Sequence, residues 1–375
     1  MAGYGFRGKK YLGGVLVVVL LGGAGVAWVE RATLLAWFYV RGLARAGEGE
    51  RERWVGRVAG LGEAAIPGLL DCLAQPDPGV CRNAREALCH LAGPWGAGDT
   101  RAVDLALRLA REFPRLSPAG QENALRLTAH WFPARPEGAA PAAGLVPACA
   151  RLVEEAAGAT DPAVQAAALE LCADLLGQPQ GTEALSASRE LVRASLRGPA
   201  PANRLRAVRL ALHPGMDLLE QVVALLDDPE AAVRRAALLA VGPADQVVHD
   251  EGLLPSLNDT DPEVRRLCEA ALRGRGLRPE HLQLGRLLTH PHPVVRLEVL
   301  DLLRKERDLD QGLWLRRLSH DPSPAVRVAA IREMSQQAFL DLSDRIDQMA
   351  RSDPSPTVCK LAQFYLARLK RHPER

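Results

Sequence analysis

Histidine is the residue type in this sequence best suited to bind a metal ion, and several histidines lie close together in the chain. His290 and His292 are separated by one residue, and His281 and His320 lie nearby in the sequence. A zinc site needs three or four convergent ligands, such as those of a helical His-Glu-x-x-His pattern. No such pattern and no convergent carboxylate accompanies these histidines. We therefore predict a turn at 290–292 and no metal site.

Other catalytic motifs have little support. Gly3, Gly5 and Gly8 match a dinucleotide fingerprint by their letters, but they follow no predicted strand and lead into an apolar segment. The sequence has no phosphate-binding loop, no Gly-x-Ser-x-Gly elbow and no Cys-x-x-Cys pair. Its seven cysteines are unpatterned, which favours small buried side chains over disulfides. We predict no cofactor and no enzymatic activity.

Charged side chains recur at a fixed spacing in the C-terminal half. In three segments an aspartate precedes an arginine by six residues: Asp228 and Arg234, Asp259 and Arg265, Asp321 and Arg327. Arg296 holds the arginine position of a fourth segment, where His290 replaces the aspartate. A column of arginines would suit an anion. Because an aspartate accompanies most of them, we favour a structural ladder of Asp/Arg pairs.

These charged positions belong to a longer repeat. Each of these arginines follows a valine, and the aligned valines are 31, 31, 31 and 32 residues apart: Val233, Val264, Val295, Val326 and Val358. Earlier members align at Val80 and Val164, and weaker ones near Gly120 and Leu205. After the valine, apolar residues recur at i+4, i+7 and i+8, which is one face of a helix. An Asp/Pro turn precedes it, as at a helix start.

The repeat predicts an all-α chain, an α-solenoid of about nine or ten helix pairs over 32–370. We expect capping or juxtamembrane helices over 30–60 and the solenoid over 61–370. Within it, 222–370 is regular, 93–157 is irregular, and 133–144 reads as a long loop. Cys172 and Cys268 fall in columns otherwise held by Ala, Val, Leu and Met, so both are predicted to be buried and inert.

The phrases Asp-Pro-Glu-Ala-Ala-Val-Arg, Asp-Thr-Asp-Pro-Glu-Val-Arg and Asp-Pro-Ser-Pro-Ala-Val-Arg, with Leu-Gly-Glu-Ala-Ala-Ile-Pro-Gly-Leu-Leu at 61–70, resemble short HEAT repeats similar to the bilin-lyase-like subfamily. The resemblance covers most of the chain and implies Asp and Arg columns that bond within and between repeats. It implies little about activity. The sequence departs from the pattern at His290, Cys81, Gln165 and Cys359, where we expect the ladder to be weakest.

The N-terminus has the pattern of a membrane anchor. Residues 11–29 contain no charged side chain, and nineteen helical residues span about 28 Å, close to the hydrocarbon thickness of a bilayer. A basic tail, 1–10, precedes the segment, and Trp28, Trp37, Phe38 and Tyr39 suit an interfacial belt. A cleaved signal ending near Ala27, or a buried soluble helix, are the alternatives. We predict a single-pass protein of the bacterial inner membrane; the side that carries the repeats stays open.

Charge and motifs together favour a binding protein. With 47 basic and 45 acidic residues the net charge is +2, which argues against a nucleic-acid partner. We expect a membrane-anchored scaffold whose concave face binds a protein or an extended peptide, through exposed positions of the second helices: Arg235, Arg266, Glu298 and Arg332. The alternative is an exported or soluble accessory subunit of a lyase-like enzyme.

Overall fold

The computed structural model describes residues 33–96, 98–132, 142, 144–178, 181–305, 309–336 and 342–371, with only the backbone at 369–371. Every regular element in these ranges is helical. The basic tail 1–10, the segment 11–29 and, apart from residues 142 and 144, the loop 133–144 lie outside the described residues. Among the helices that are described, none combines the length and the apolar character that crossing a membrane requires.

The chain forms two compact units, Met1–Leu218 and Leu219–Arg375. The first unit begins with α1 over 33–44. Its remaining helices are α2 (Arg51–Ala59), α3 (Ile66–Leu73), α4 (Pro78–Ala92), α5 (Thr100–Glu112), α6 (Pro118–Ala129), α7 (Leu145–Ala156), α8 (Pro162–Leu176), α9 (Leu185–Leu196) and α10 (Pro201–Ala211).

Helices of the first unit stack as first and second members of successive pairs. The second members α2, α4, α6, α8 and α10 each contact the next one in that order. The first members α5, α7 and α9 do the same, and α7 packs on α8 as α9 packs on α10. Each pair therefore contacts the pairs beside it in sequence, which is the arrangement of a helical solenoid.

The second unit contains α11 (Leu219–Val223), α12 (Ala231–Val241), α13 (Asp250–Leu253), α14 (Pro262–Gly274), α15 (Pro279–Leu288), α16 (Pro293–Arg296), α17 (Glu298–Lys305), α18 (Gln311–Leu318), α19 (Pro324–Met334), α20 (Ser343–Ser352) and α21 (Pro356–Arg371). Short 3-10 helices, Ala224–Asp227 and Leu254–Asn258, extend the first helices α11 and α13. Second helices again contact in succession: α12 with α14, α16 with α19, and α19 with α21.

Turn chemistry sets where the second helices begin. In α14 the Asp261 side chain accepts hydrogen bonds from the N–H groups of Glu263 and Val264, both at 3.0 Å, and Pro262 occupies the first helical position. Asp77 and Asp161 cap α4 and α8 in the same way. The carboxylate of a capping aspartate accepts hydrogen bonds from N–H groups that have no partner within the helix. Proline is tolerated at the first helical position, because the N–H that it lacks would have no partner there.

The core follows the predicted helical stripe. Val233, Val264, Val326 and Val358, each the third residue of its helix, are buried, whereas Val295 is only partly buried. The prediction for Cys172 and Cys268 is confirmed, because both are fully buried. Desolvation raises the pKa of each thiol to about 12, which leaves almost no reactive thiolate at neutral pH.

The region 93–157 departs from the repeat in sequence but folds into α5, α6 and α7. At the position that holds valine elsewhere, α6 has Gly120. The carbonyl oxygen of Leu73 lies so close that a Cβ on Gly120 would stand 1.8 Å from it. Glycine is therefore required by the close approach of two backbones, and the repeat signature is lost there while the helix pair remains.

Candidate protein-binding face

An arginine stands at the fourth residue of several second helices and binds a carboxylate in the following repeat. Arg234 binds Asp259 through Nε and Nη2, both at 2.7 Å. Arg296 binds Asp321 at 2.7 and 2.8 Å, and Arg327 binds Asp353 at 2.8 Å twice. These are bidentate contacts between side chains that are largely buried, and the sequence separation is 25 or 26 residues.

Within its own repeat each arginine contacts backbone, not carboxylate. The Nη1 of Arg234 donates to the carbonyl of Asp228 at 2.8 Å, and Arg327 does the same to Asp321 at 2.8 Å. Arg296 reaches the carbonyl of His290 at 2.7 Å. The sequence pattern predicts that each arginine pairs with the aspartate six residues earlier. The structure corrects this: the residue six places back supplies its carbonyl, and the carboxylate comes from the next repeat.

Each ladder aspartate also organises the turn before its helix. Oδ1 of Asp259 accepts from the N–H of Asp261 at 2.7 Å, and Oδ1 of Asp353 accepts from that of Ser355 at 2.8 Å. Burial alone would raise the pKa of Asp259, but hydrogen bonds from Arg234 and the Asp261 amide, with the arginine charge, hold the pKa below its ordinary value.

The column is interrupted at Arg265. Its Nη1 donates to the carbonyls of Asp259 and Thr260, at 2.6 and 3.1 Å. The residue 25 places later, where a carboxylate would stand, is His290, whose Nδ1 accepts from the N–H of His292 at 3.1 Å. The imidazole thus replaces the aspartate in the turn but offers no negative charge. Among the described residues Arg265 has no carboxylate within ion-pair distance, and the helix of the His290 repeat breaks at Leu297.

At three positions of the arginine column, another residue type makes the contact with the carbonyl six residues earlier in its own repeat. Sγ of Cys81, Nε2 of Gln165 and Sγ of Cys359 lie 3.3, 2.8 and 3.1 Å from the carbonyl six residues earlier. The ladder has two further members that the predicted Asp/Arg pairs do not include, Asp353 and Arg204. Arg204 donates to the carbonyls of Gly198 and Pro199, at 2.9 and 3.0 Å. Counting four residues from the capping position would have identified Arg204 where alignment on Leu205 did not.

The four positions predicted for partner binding have different surroundings. Arg235 lies 3.7 Å from Asp261 of the next repeat, and Arg266 is exposed and paired with Glu263 in its own helix. Glu298 and Arg332 are exposed. Arg235 and Arg266 hold the same place in successive helices. Arg332 stands four residues further along its helix, so it lies close to the same face, while Glu298 lies about 100° around the axis.

The second unit has a regular exposed column that the repeat pattern by itself does not identify. Counted from the first residue of the second helix of each repeat, the ninth residue is exposed in the second unit, at a spacing of 31 or 32 residues: Leu239, Ala270, Asp301, Arg332 and Phe364. Asp301 lies in α17, because the helix of its repeat breaks at Leu297. We call this set the outer column. Its two large apolar members, Leu239 and Phe364, are 61% and 60% exposed.

One ion pair joins neighbouring helices beside the outer column. Arg304 donates to Glu333 of the next repeat, at 2.6 Å, and to Asp301 in its own helix, at 3.1 Å. Glu333 is buried, so this contact helps to fix the distance between the two helices at the level of Asp301 and Arg332. The outer column therefore stands on a supported surface, with the arginine ladder at the helix starts and Arg304 near the helix ends.

The described residues bring together no group of three or more metal-ligating side chains. The rings of His290 and His292 are 5.5 Å apart, and both residues take part in the turn described above. The cysteines in these ranges are free, and burial raises the pKa of Cys72 to about 11.

Comparison with known proteins gives structural likeness alone. No protein-family model matches this chain, and no curated protein matches it. A chain of the Kap95:Nup1 complex is 13% identical, with 90% of this chain covered and a TM-score of 0.41; this chain spans 49% of its length. An engineered protein is 17% identical over 91% of this chain and 95% of its own, with a TM-score of 0.23. A microtubule polymerase TOG domain array is 13% identical over 84% of both chains, with a TM-score of 0.24.

Proposed function

We propose that this protein is a membrane-anchored scaffold of nine or ten HEAT-like repeats that binds a protein or an extended peptide and carries out no chemistry itself. The outer column carries the proposal. It presents one exposed side chain per repeat, at a spacing of 31 or 32 residues. Bidentate ion pairs join the repeats of α12 and α14, of α16 and α19, and of α19 and α21. A regular row of exposed positions on a rigid support is what a repeat protein uses to bind an extended partner.

The side chains of the outer column indicate the length and the charge pattern of the partner peptide. Leu239 and Phe364 provide an apolar contact at each end, and Asp301 and Arg332 provide charges of opposite sign between them. Helices pack about 10 Å apart, so five positions cover about 40 Å. At about 3.3 Å per residue, an extended peptide of about 12 residues spans that length. We expect apolar side chains near both its ends and a central pair of complementary charges.

Crosslinking from the outer column tests this proposal. A photoreactive amino acid is placed at Leu239, Arg332 or Phe364 of the full chain, and at two exposed apolar controls off the column, Val294 and Leu313. We expect one partner to be captured from the three column positions and not from the controls. Equal capture from the controls would remove the support for the column. A captured chromophore-bearing protein would instead favour an accessory role beside a lyase.

Charge reversal tests the contribution of the predicted positions. Reversal of Arg235, Arg266, Glu298 and Arg332 together is expected to lower the yield of partner and to change its salt dependence, because interface charges act mainly on association. Helicity is expected to stay unchanged, since Arg266, Glu298 and Arg332 are exposed and Arg235 is only partly buried. Undiminished capture by the reversed chain would exclude these residues from the binding face.

The anchor is a second part of the proposal, supported by the uncharged stretch 11–29 and its basic flank. We expect the full chain to remain in membranes after carbonate extraction, and a chain lacking residues 1–30 to be soluble and helical. Recovery of the intact chain, beginning at Met1, in the soluble fraction would exclude the anchor. Protease access to the repeats from either side of sealed vesicles identifies the compartment that contains them.

A further inference from the structure

Helix α1 is apolar on two opposite faces, and the fold covers only one of them. Ala36, Val40 and Leu43 are buried, and Val40 packs against Gly68 of α3. On the other side a second apolar face, at i, i+3 and i+4, is open: Leu34, Trp37 and Phe38 are 66%, 60% and 57% exposed. A surface helix of a soluble domain has polar residues on that side.

The aromatic residues of α1 divide between the two faces. Tyr39 turns inward, with its ring 6.3 Å from the ring of Trp54 in an edge-on arrangement, and is partly buried. Trp37 turns outward, and the guanidinium of Arg41 lies 5.2 Å from its ring centre. The outward face therefore combines an indole, a phenyl ring, a leucine and a cation, within two helical turns.

The place of α1 in the chain limits what can cover this face. The uncharged stretch ends at residue 29, and Leu34 is five residues further on. Five extended residues reach at most about 18 Å, so an anchor at 11–29 keeps Leu34 within that distance of the bilayer. Three side chains are too small a patch for a stable dimer, which needs about 800 Å² from each partner. Tryptophan beside arginine is typical of the membrane interface.

We propose that α1 lies in the headgroup layer of the membrane, with Leu34, Trp37 and Phe38 against the lipid and Arg41 beside lipid phosphates. This inference rests on the membrane anchoring of the proposed function. The chain would then be attached to the bilayer at two points, the spanning segment and α1. Two attachments would fix the orientation of the first helix pairs relative to the membrane, whereas a single span leaves rotation about its axis free.

Quenching by brominated lipid tests the inference on the full chain. The chain is reconstituted in vesicles of phosphatidylcholine and phosphatidylglycerol in equal parts, with and without brominated acyl chains. Tryptophan emission is compared for wild type, Trp37→Phe, Trp28→Phe and Trp314→Phe. Phenylalanine keeps the apolar character of each site while removing its emission. Trp28 reports on the anchor, Trp37 on α1, and the buried Trp314 serves as the control.

We expect Trp37→Phe to remove about half of the lipid-quenchable emission, because Trp28 and Trp37 would be the two indoles at the interface. Trp314→Phe is expected to remove none. If Trp28→Phe lowers quenching and Trp37→Phe does not, the membrane anchor is supported and the proposed location of α1 in the headgroup layer is wrong. If neither lowers quenching and carbonate releases the chain, the anchor of the proposed function fails as well.

Discussion

Arg296 and Asp321 form a bidentate ion pair across 25 residues of sequence, with Nε–Oδ2 at 2.7 Å and Nη2–Oδ1 at 2.8 Å. Both side chains are less than a tenth exposed. The same arginine satisfies the carbonyls of His290 and Pro291 in its own repeat. One guanidinium therefore joins the turn of one repeat to the turn of the next, and the planar fork of arginine is what allows both contacts at once.

Loss of this guanidinium is expected to open the second unit locally. Arg296→Ala leaves Asp321 buried without its cation and two carbonyls without their donor. We expect a cost of about 2–4 kcal/mol in the free energy of opening of α16 and α19, measured by native-state hydrogen exchange. Arg266→Ala, an exposed arginine paired within its own helix, is the control and is expected to change nothing measurable. Equal effects of the two substitutions would contradict the ladder.

The carboxylates of the ladder are expected to make stability sensitive to acid. Burial would raise the pKa of Asp353, but hydrogen bonds from Arg327 and the Ser355 amide, with the nearby positive charges, hold it below its ordinary value. A carboxylate whose pKa is lowered in the folded state stabilises the fold at pH values above its unfolded pKa of about 3.9. This stabilisation is lost as the pH falls through the folded pKa. The Asp353→Asn variant is expected to be less stable at pH 7, as measured by urea unfolding. Its free energy of unfolding is expected to change less with pH below about pH 4. Curves that run parallel would refute this.

The gap at His290 predicts a stabilising substitution. In His290→Asp the new carboxylate would accept from the His292 amide, as the other ladder aspartates do, and would face Arg265 from the next repeat. We expect a gain of about 1–2 kcal/mol in the same hydrogen-exchange measurement. The control is His290→Asp combined with Arg265→Ala, in which the gain should disappear. A gain that persists without the arginine would show that the carboxylate acts on the turn alone.

Arg275 is a structural clamp, although its sequence context is that of a basic surface patch. Its side chain is only 8% exposed and donates to the carbonyls of Gly242, Val248 and Val241, at 2.7, 2.8 and 3.1 Å. Arg275→Ala is expected to cost about 2–3 kcal/mol, because three buried acceptors lose a charged donor.

Arg273, two residues earlier, provides the matched control for Arg275. Its side chain is 60% exposed and pairs with Glu269 in the same helix. Arg273→Ala should cost less than about 0.5 kcal/mol in the same unfolding measurement. If the two substitutions destabilise equally, the buried contacts of Arg275 contribute no more to stability than the exposed ion pair of Arg273.

The sequence by itself determined the local structure of the repeats. Asp and Pro before a helical stripe place each helix start, and the spacing of valines predicts the repeat. The burial of Cys172 and Cys268 also follows from the sequence, because a helix of 3.6 residues per turn buries the same positions in every repeat. These features depend on residues close together in the chain, so their pattern is visible without a fold.

Tertiary structure alone decided which groups meet across repeats. The carboxylate of Asp321 binds Arg296 and not Arg327, although Arg327 is far nearer in sequence, because stacking brings one helix start against the next turn. Gly120 breaks the valine column because the Leu73 carbonyl occupies the space of a side chain. Arg275 is buried where three carbonyls of the segment from the end of α12 to the start of α13 converge on its guanidinium. Each of these outcomes depends on the offset between stacked helices, which a residue's own neighbours in sequence do not encode.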